Sequence, residues 1–168
     1  EEDEVETETI IHAAAAAATE QATAAGLAVT LDIAPNLPQL KADVRRLRKC
    51  LDNLLSNAIK FTPAGGWITI AAAGDAFGGV TIDVVDTGIG IAPDDVEKAL
   101  SPFGQIDTEL NRRYEGLGLG LPLARELMKS HGGLLSLASG LGLGTRASLR
   151  FPASRVIARA KAAGSNAA

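Results

Sequence analysis

At 168 residues and 46% apolar side chains, the chain is long enough for one domain with an ordinary core; aromatics at 4% leave that core to Ala, Leu, Ile and Val. A net charge of −4 argues against a bare polyanion, nucleic acid included, as the main partner. The single Cys50 excludes an internal disulfide or a cysteine metal cluster and fits a reducing compartment, and no apolar run or signal peptide marks a membrane segment.

The first eight positions carry Glu1, Glu2, Asp3, Glu4, Glu6 and Glu8, a like-charge run that reads as a solvated end. The start lacks Met and lies inside that run, as expected for a piece of something longer. Residues 5–25 are rich in Ala, Glu and Gln with no breaker before Gly26, which predicts a helix. "LAVTLDIA" (27–34) alternates as a strand, and "APNLPQL" reads as a connecting loop. Asp43 is a good N-cap for a helix to about Lys60, with Leu47, Leu51, Leu54, Leu55 and Ala58 on one apolar stripe.

"GGWITIAAAG" and "GGVTIDVVD" predict a hairpin, and "APDDVEKAL" a short helix with Pro93 in its first turn. Residues 101–116 lack a sustained period, and a loop that long inside a domain is usually functional. A helix follows in "GLGLPLARELMKSHGG", then strands near 134–139 and 145–151, and an Ala- and Arg-rich tail from Ala153 that reads as frayed. Three long helices and five strands in mixed order predict an α+β fold, a sheet covered on one face by helices. "VVDTGIG" alone could be the catalytic turn of an aspartic protease. That enzyme is nearly all β and needs a second Asp-Thr-Gly-like turn, which this chain lacks.

Three clusters could carry chemistry. In "DNLLSNAIKFTP", Asn53, Asn57 and Lys60 share the helix face turned away from the leucines. That pattern suits a solvated face, or a neutral oxygen for a Mg²⁺ whose other ligands are phosphates and water. In "DTGIGI", Gly88 and Gly90 permit turns closed to other residues, while an ionised Asp86 accepts hydrogen bonds only, so its natural partner is a donor such as an exocyclic amine. In "YEGLGLGLPL", Gly116, Gly118 and Gly120 lead into a helix whose free N–H groups would suit phosphates.

In order, these segments resemble the ATP-binding catalytic domain of bacterial sensor histidine kinases, in the superfamily shared with gyrase, Hsp90 and MutL. "NLLSNAIKFTP" is similar to the N box, "DTGIGI" to G1, "SPFGQ" to the F box, "GLGLGL" to G2 and "GLGT" (142–145) to the last glycine turn. The lid stretch "FGQID…RRYEGLGLGL" looks most like alphaproteobacterial hybrid and cell-cycle kinases. The resemblance spans about residues 25–152 and implies a Bergerat fold, a two-layer α/β sandwich with a mixed sheet of roughly five strands under three helices. It divides the chain into a linker and first helix (1–25), an ATP-binding domain (26–152) and a flexible tail (153–168).

The resemblance also implies roles. Asp86 would accept from the adenine amine, with Gly88, Gly90, Ile91 and Thr145 around it; Asn57 would ligate Mg²⁺, with Asn53 and Lys60 near the phosphates. Residues from about 94 to 117 would form the ATP lid, packed by Phe103, with Arg112, Arg113 and Tyr114 near the nucleotide. Gly116, Gly118 and Gly120 would offer backbone N–H groups to the phosphates, with Leu117, Leu119 and Leu121 also among the ATP-binding residues. Leu117 departs from the family, which usually carries Thr or Ser there, and is the one feature that favours a pseudokinase-like binding module instead.

Expected partners are the protein's own dimerisation hairpin, which carries the phospho-accepting histidine, and a response regulator receiver domain. The full-length protein would be a homodimer, and this part of it a cytoplasmic domain such as membrane-bound sensor kinases carry. Neither His12 nor His131 lies in an acceptor motif. The water-activating Glu of the ATPase branch is replaced by Asn53, and an amide is no general base. The isolated chain is therefore expected to bind ATP without hydrolysing it or labelling itself.

Overall fold

The structure, a computed structural model, describes residues 1–101 and 120–158. Helix α1 (Thr7–Ala24) is the Ala-rich segment; its buried stripe of Ile10, Ile11, Ala14, Ala15, Ala18 and Ala22 lets it lie close to its neighbours. Helix α2 (Val44–Phe61) opens on Asp43, whose carboxylate accepts from the Arg46 N–H, and buries Leu47, Cys50, Leu51, Leu54, Leu55, Ala58 and Ile59. The predicted cap and stripe are both where the sequence puts them. Helix α3 (Pro93–Leu100) has Pro93 in its first turn, and α4 (Gly120–Ser130) buries Leu121, Ala124 and Met128.

A five-stranded sheet is formed by β2 (Ala28–Ile33), β4 (Trp67–Gly74), β5 (Val80–Asp86), β6 (Leu134–Gly140) and β7 (Gly144–Phe151). Its order is β2-β4-β5-β7-β6, with β2 parallel to β4 and the other pairs antiparallel. Ile68, Ile70, Ile82, Val84, Leu149 and Phe151 supply the buried face, in the alternation that a sheet covered on one side requires. Helix α2 packs between α1 and α4, and its last turns meet the end of β5. That junction positions the site.

A second sheet was not legible. Strand β3 (Gln39–Ala42) pairs antiparallel with β1 (Asp3–Val5) on one side and β8 (Val156–Ile157) on the other. The acidic start is thus partly built in: Val5 is buried, and Glu2 Oε1 accepts from Arg155 Nη1 at 2.7 Å. The first residues of the expected tail are likewise structured, as a short 3₁₀ turn (Ala153–Arg155) and then β8. The predicted loop "APNLPQL" ends in β3, where Leu40 is fully buried. Among the described residues no helix is long and apolar enough to cross a membrane.

Candidate functional site

A cleft lies between the C-terminal half of α2 and the ends of β5, β6 and β7. Leu54, Asn57, Ala58 and Phe61 form its helix wall, and Val84, Asp86, Leu137, Thr145 and Ala147 its sheet wall. Gly90, Ile91 and Leu121 close the edges. Both walls follow from periodicity: Leu54, Asn57, Ala58 and Phe61 are three and four apart on one helix face, so Asn57 borders the leucine stripe and does not face away from it as the sequence suggested, and Val84 and Asp86 are two apart on one strand face. Mostly apolar walls with a few polar groups are the usual make-up of a small-molecule site.

Asp86 is the best-held polar group there. Its Oδ1 accepts from the Gly88 N–H at 2.8 Å and the Thr145 N–H at 3.2 Å. Its Oδ2 has no hydrogen-bond partner among the described residues. Burial pushes the carboxyl above the usual aspartate range, and the two amides hold it partly back. One oxygen thus fixes the rotamer while the other remains free to accept.

The turn after Asp86 is clamped from two sides. The Ile89 N–H donates to the Phe61 carbonyl at 3.1 Å, the Gly142 N–H to the Ile89 carbonyl at 2.8 Å, and the Ile91 N–H to Ser139 Oγ at 2.7 Å. Ser139 in turn contacts Thr145 Oγ1 at 2.8 Å and the Gly144 carbonyl at 2.9 Å. Gly90 has φ +73°, and a Cβ on it would overlap the Gly140 carbonyl oxygen; Gly144 has φ +75°, and a Cβ there would overlap the Asp86 carbonyl oxygen. A Cβ on Gly88 would stand 2.6 Å from the Phe61 carbonyl oxygen. The glycines of "DTGIG" therefore meet protein backbone directly.

On the helix wall the Asn57 Nδ2 is buried without a hydrogen-bond partner among the described residues. Its amide is not committed to the protein, which fits a residue that offers its carbonyl oxygen to a cation bound with a ligand. No cluster of three or more His, Cys, Asp or Glu suited to a metal occurs among the described residues, so Mg²⁺ would depend on Asn57 together with ligand oxygens. Asn53 is engaged differently: its Nδ2 donates to the Gly120 carbonyl at 3.2 Å, tying α2 to the start of α4. Lys60 is exposed and stands outside the cleft lining, its Nζ 6.0 Å from the Phe61 ring centre. Phe103, Arg112, Arg113, Tyr114, Gly116, Leu117, Gly118 and Leu119 lie outside the described residues.

Asn57, Asp86, Gly90, Ile91, Leu121 and Thr145 are thus brought together from five segments. Sequence reasoning missed Leu54, Ala58, Phe61, Val84, Leu137 and Ala147 as site residues, though the helical and strand periods of Asn57 and Asp86 point to the first four. It also missed Ser139, whose role arises only when β6 folds beside the turn.

A family model described as histidine kinase-, DNA gyrase B- and HSP90-like ATPase matches residues 42–155. The "Non-motile and phage-resistance protein" of Caulobacter vibrioides is 43% identical over 135 residues, 79% of this chain and 16% of that protein. The "Cell-division control histidine kinase PdhS" of Brucella anthropi is 38% identical over 131 residues, 73% of this chain and 12% of that one. The chain thus spans less than a fifth of the length of these two relatives. Among solved structures, full-length ShkA in complex with AMPPNP superposes with a TM-score of 0.81 at 29% identity, over 94% of this chain and 32% of that one. The chain belongs to the histidine kinase-, DNA gyrase B- and HSP90-like ATPase family, and its fold is that of a histidine kinase catalytic domain.

Proposed function

We propose that the cleft binds Mg²⁺-ATP and that, in the full-length protein, this domain presents the γ-phosphate to a histidine on a dimerisation hairpin outside this chain. A response regulator receiver domain would take the phosphoryl group onward. Asp86 carries the reading: a half-buried carboxylate with Oδ1 fixed by two backbone N–H groups and Oδ2 free is suited to the exocyclic amine of adenine. The apolar walls from Leu54, Val84, Leu137 and Ala147 would hold the flat base, and Ile91 and Leu121 would cover its edges. Mg²⁺, when bound, would neutralise phosphate charge, with Asn57 as its protein ligand. The AMPPNP complex of the similar ShkA is in keeping with this assignment.

The chain's own residues favour transfer over hydrolysis. Asn53 has its amide on the Gly120 carbonyl, and Asp52 Oδ1 accepts from Arg48 Nε at 2.8 Å on the exposed face of α2. Neither serves as a base for water, and no carboxylate other than Asp86 lines the cleft among the described residues. His12 is exposed on α1, 3.7 Å from Glu8 Oε1, and lies in no acceptor motif. Isothermal titration with a non-hydrolysable ATP analogue, with and without Mg²⁺, tests the reading. Mg²⁺-dependent binding that Asp86→Asn weakens is the expected result. Binding that ignores both the cation and Asp86 overturns it.

A further inference from the structure

Helices α2 and α4 run side by side in opposite directions, and side chains tie them together at both ends. At the cleft end, Asn53 Nδ2 donates to the Gly120 carbonyl, and Gly120 is also close to Asn57. At the far end stands His131, the residue after α4. It is 2% exposed and its ring meets Phe151 edge-on, 6.3 Å between centres.

The Asp43 N–H, at the N-cap of α2, points to His131 Nε2 at 3.0 Å, so Nε2 must accept. Nδ1 therefore carries the hydrogen and donates to the Leu127 carbonyl at 2.7 Å, within the last turn of α4. One ring thus joins the N-terminus of α2 to the C-terminus of α4 by two bonds whose directions are fixed. Between the ends the contact is mostly apolar; Cys50 Sγ lies 3.7 Å from the Ala124 carbonyl. Apolar packing tolerates small axial shifts, whereas a hydrogen bond of fixed direction does not.

We propose that His131 is a positioning residue: by locking the axial register of α4 against α2, it places Gly120 beside Asn53 and Asn57 at the opposite end of the helix pair. The effect on ligand binding rests on the nucleotide reading of the cleft; the effect on register does not.

The test uses the 168-residue chain and the variants His131→Phe, His131→Gln and Thr7→Val. Phe keeps the ring and removes the acceptor. Gln can return an acceptor oxygen to the Asp43 N–H. Thr7→Val removes a different buried bond, Thr7 Oγ1 to the Pro38 carbonyl at 2.6 Å, and so controls for lost stability alone. Two quantities are read: affinity for a non-hydrolysable ATP analogue with Mg²⁺, and the NMR shift and exchange of the Asn53 side-chain amide without nucleotide.

His131→Phe should lower affinity by roughly three- to tenfold, the scale on which side chains act through packed neighbours. It should also perturb the Asn53 amide, with His131→Gln restoring both and Thr7→Val moving neither. An Asn53 amide unchanged in His131→Phe, or equally changed in Thr7→Val, overturns the proposal. If the wild-type chain binds no analogue, the nucleotide reading fails, while the Asn53 amide still decides the register claim. Should Phe not be accommodated, His131→Leu makes the same comparison.

Discussion

The cleft and the opposite end of α2 treat their polar groups in contrasting ways. At the far end, both nitrogens of His131 are engaged, Asp43 caps α2, Thr7 bonds Pro38, and Arg155 reaches both Glu2 and the Lys41 carbonyl. At the cleft end, Asp86 Oδ2 and Asn57 Nδ2 have no partner among the described residues, although the backbone around them is held by close contacts. Asn57 Nδ2 is buried, and a buried polar group left unpaired costs stability, so a fold optimised for stability alone would not keep it. The far end is built to hold the chain together. The cleft end is built rigid in its backbone and open in its side chains, as a preorganised binding site must be.

The largest effect should come from breaking that rigid frame. Gly90→Ala sets a Cβ against the Gly140 carbonyl at a left-handed φ of +73°, so relief requires the turn or the β6–β7 hairpin to move. We expect a loss of about 3 kcal/mol or more in urea unfolding, a clash added to backbone strain. A loss below about 1 kcal/mol would show the frame to be soft.

Next is the polar group itself. Asp86→Ala should weaken adenine-nucleotide binding by about 1.5–3 kcal/mol, the scale of a hydrogen bond to a charged group. It also strands the Gly88 and Thr145 N–H groups, so some stability goes with it. Asp86→Asn keeps an acceptor for both and isolates the ligand term. Calorimetric titration of the two variants separates these contributions; unchanged affinity in both would remove Asp86 from the site.

Acidification should separate the two ends. Burial raises the Asp86 pKa in the folded state, so protonation there favours the folded state between the ordinary aspartate value and the raised one. A ligand that donates to the carboxylate needs it ionised, so affinity should fall as pH drops through the raised value. Asp43 is the opposite case: the Arg46 N–H it caps lowers its pKa. The stability from that cap is present above the ordinary aspartate value and is lost only as pH falls through the lowered one. Nucleotide affinity should therefore decline at a higher pH than the cap fails, and Asp86→Asn should flatten the decline. Titrations at stepped pH, alongside unfolding at each pH, measure both.

The same contrast explains what the sequence disclosed. The leucine stripe of α2, its Asp43 cap and the strand ending on Asp86 are local patterns, and each was legible with the side of the fold it faces. The grouping of Asn57 with Asp86 and Gly90 came instead from the family resemblance, since no local pattern joins α2 to the end of β5. The small sheet was not legible. β3 has four residues, and its partners are far off in sequence: Leu40 pairs with Val5, 35 positions before it, and with Val156, 116 positions after it, while Gln39 pairs with Ile157, 118 positions after it. No local period can report pairings at that distance. Nor could the sequence show the bond that His131 accepts, because its donor is Asp43, 88 positions away.

The smallest effect should belong to Lys60, which lies on the Asn53–Asn57 face yet outside the cleft lining. If it assists phosphate binding, it does so as an exposed cation through water. Such interactions are worth about 0.2–1 kcal/mol and are screened over a Debye length of about 8 Å at physiological salt. Lys60→Ala should therefore weaken ATP binding by about 0.5 kcal/mol at low ionic strength, and by almost nothing at about 1 M salt. Stability should stay within about 0.5 kcal/mol of wild type, because Lys60 makes no buried contact. Affinity measured across a salt series checks this. A loss tenfold or larger that persists at high salt would mean that Lys60 contacts the phosphates directly, and the division between a fixed cleft and a solvated rim would have to move outward to include it.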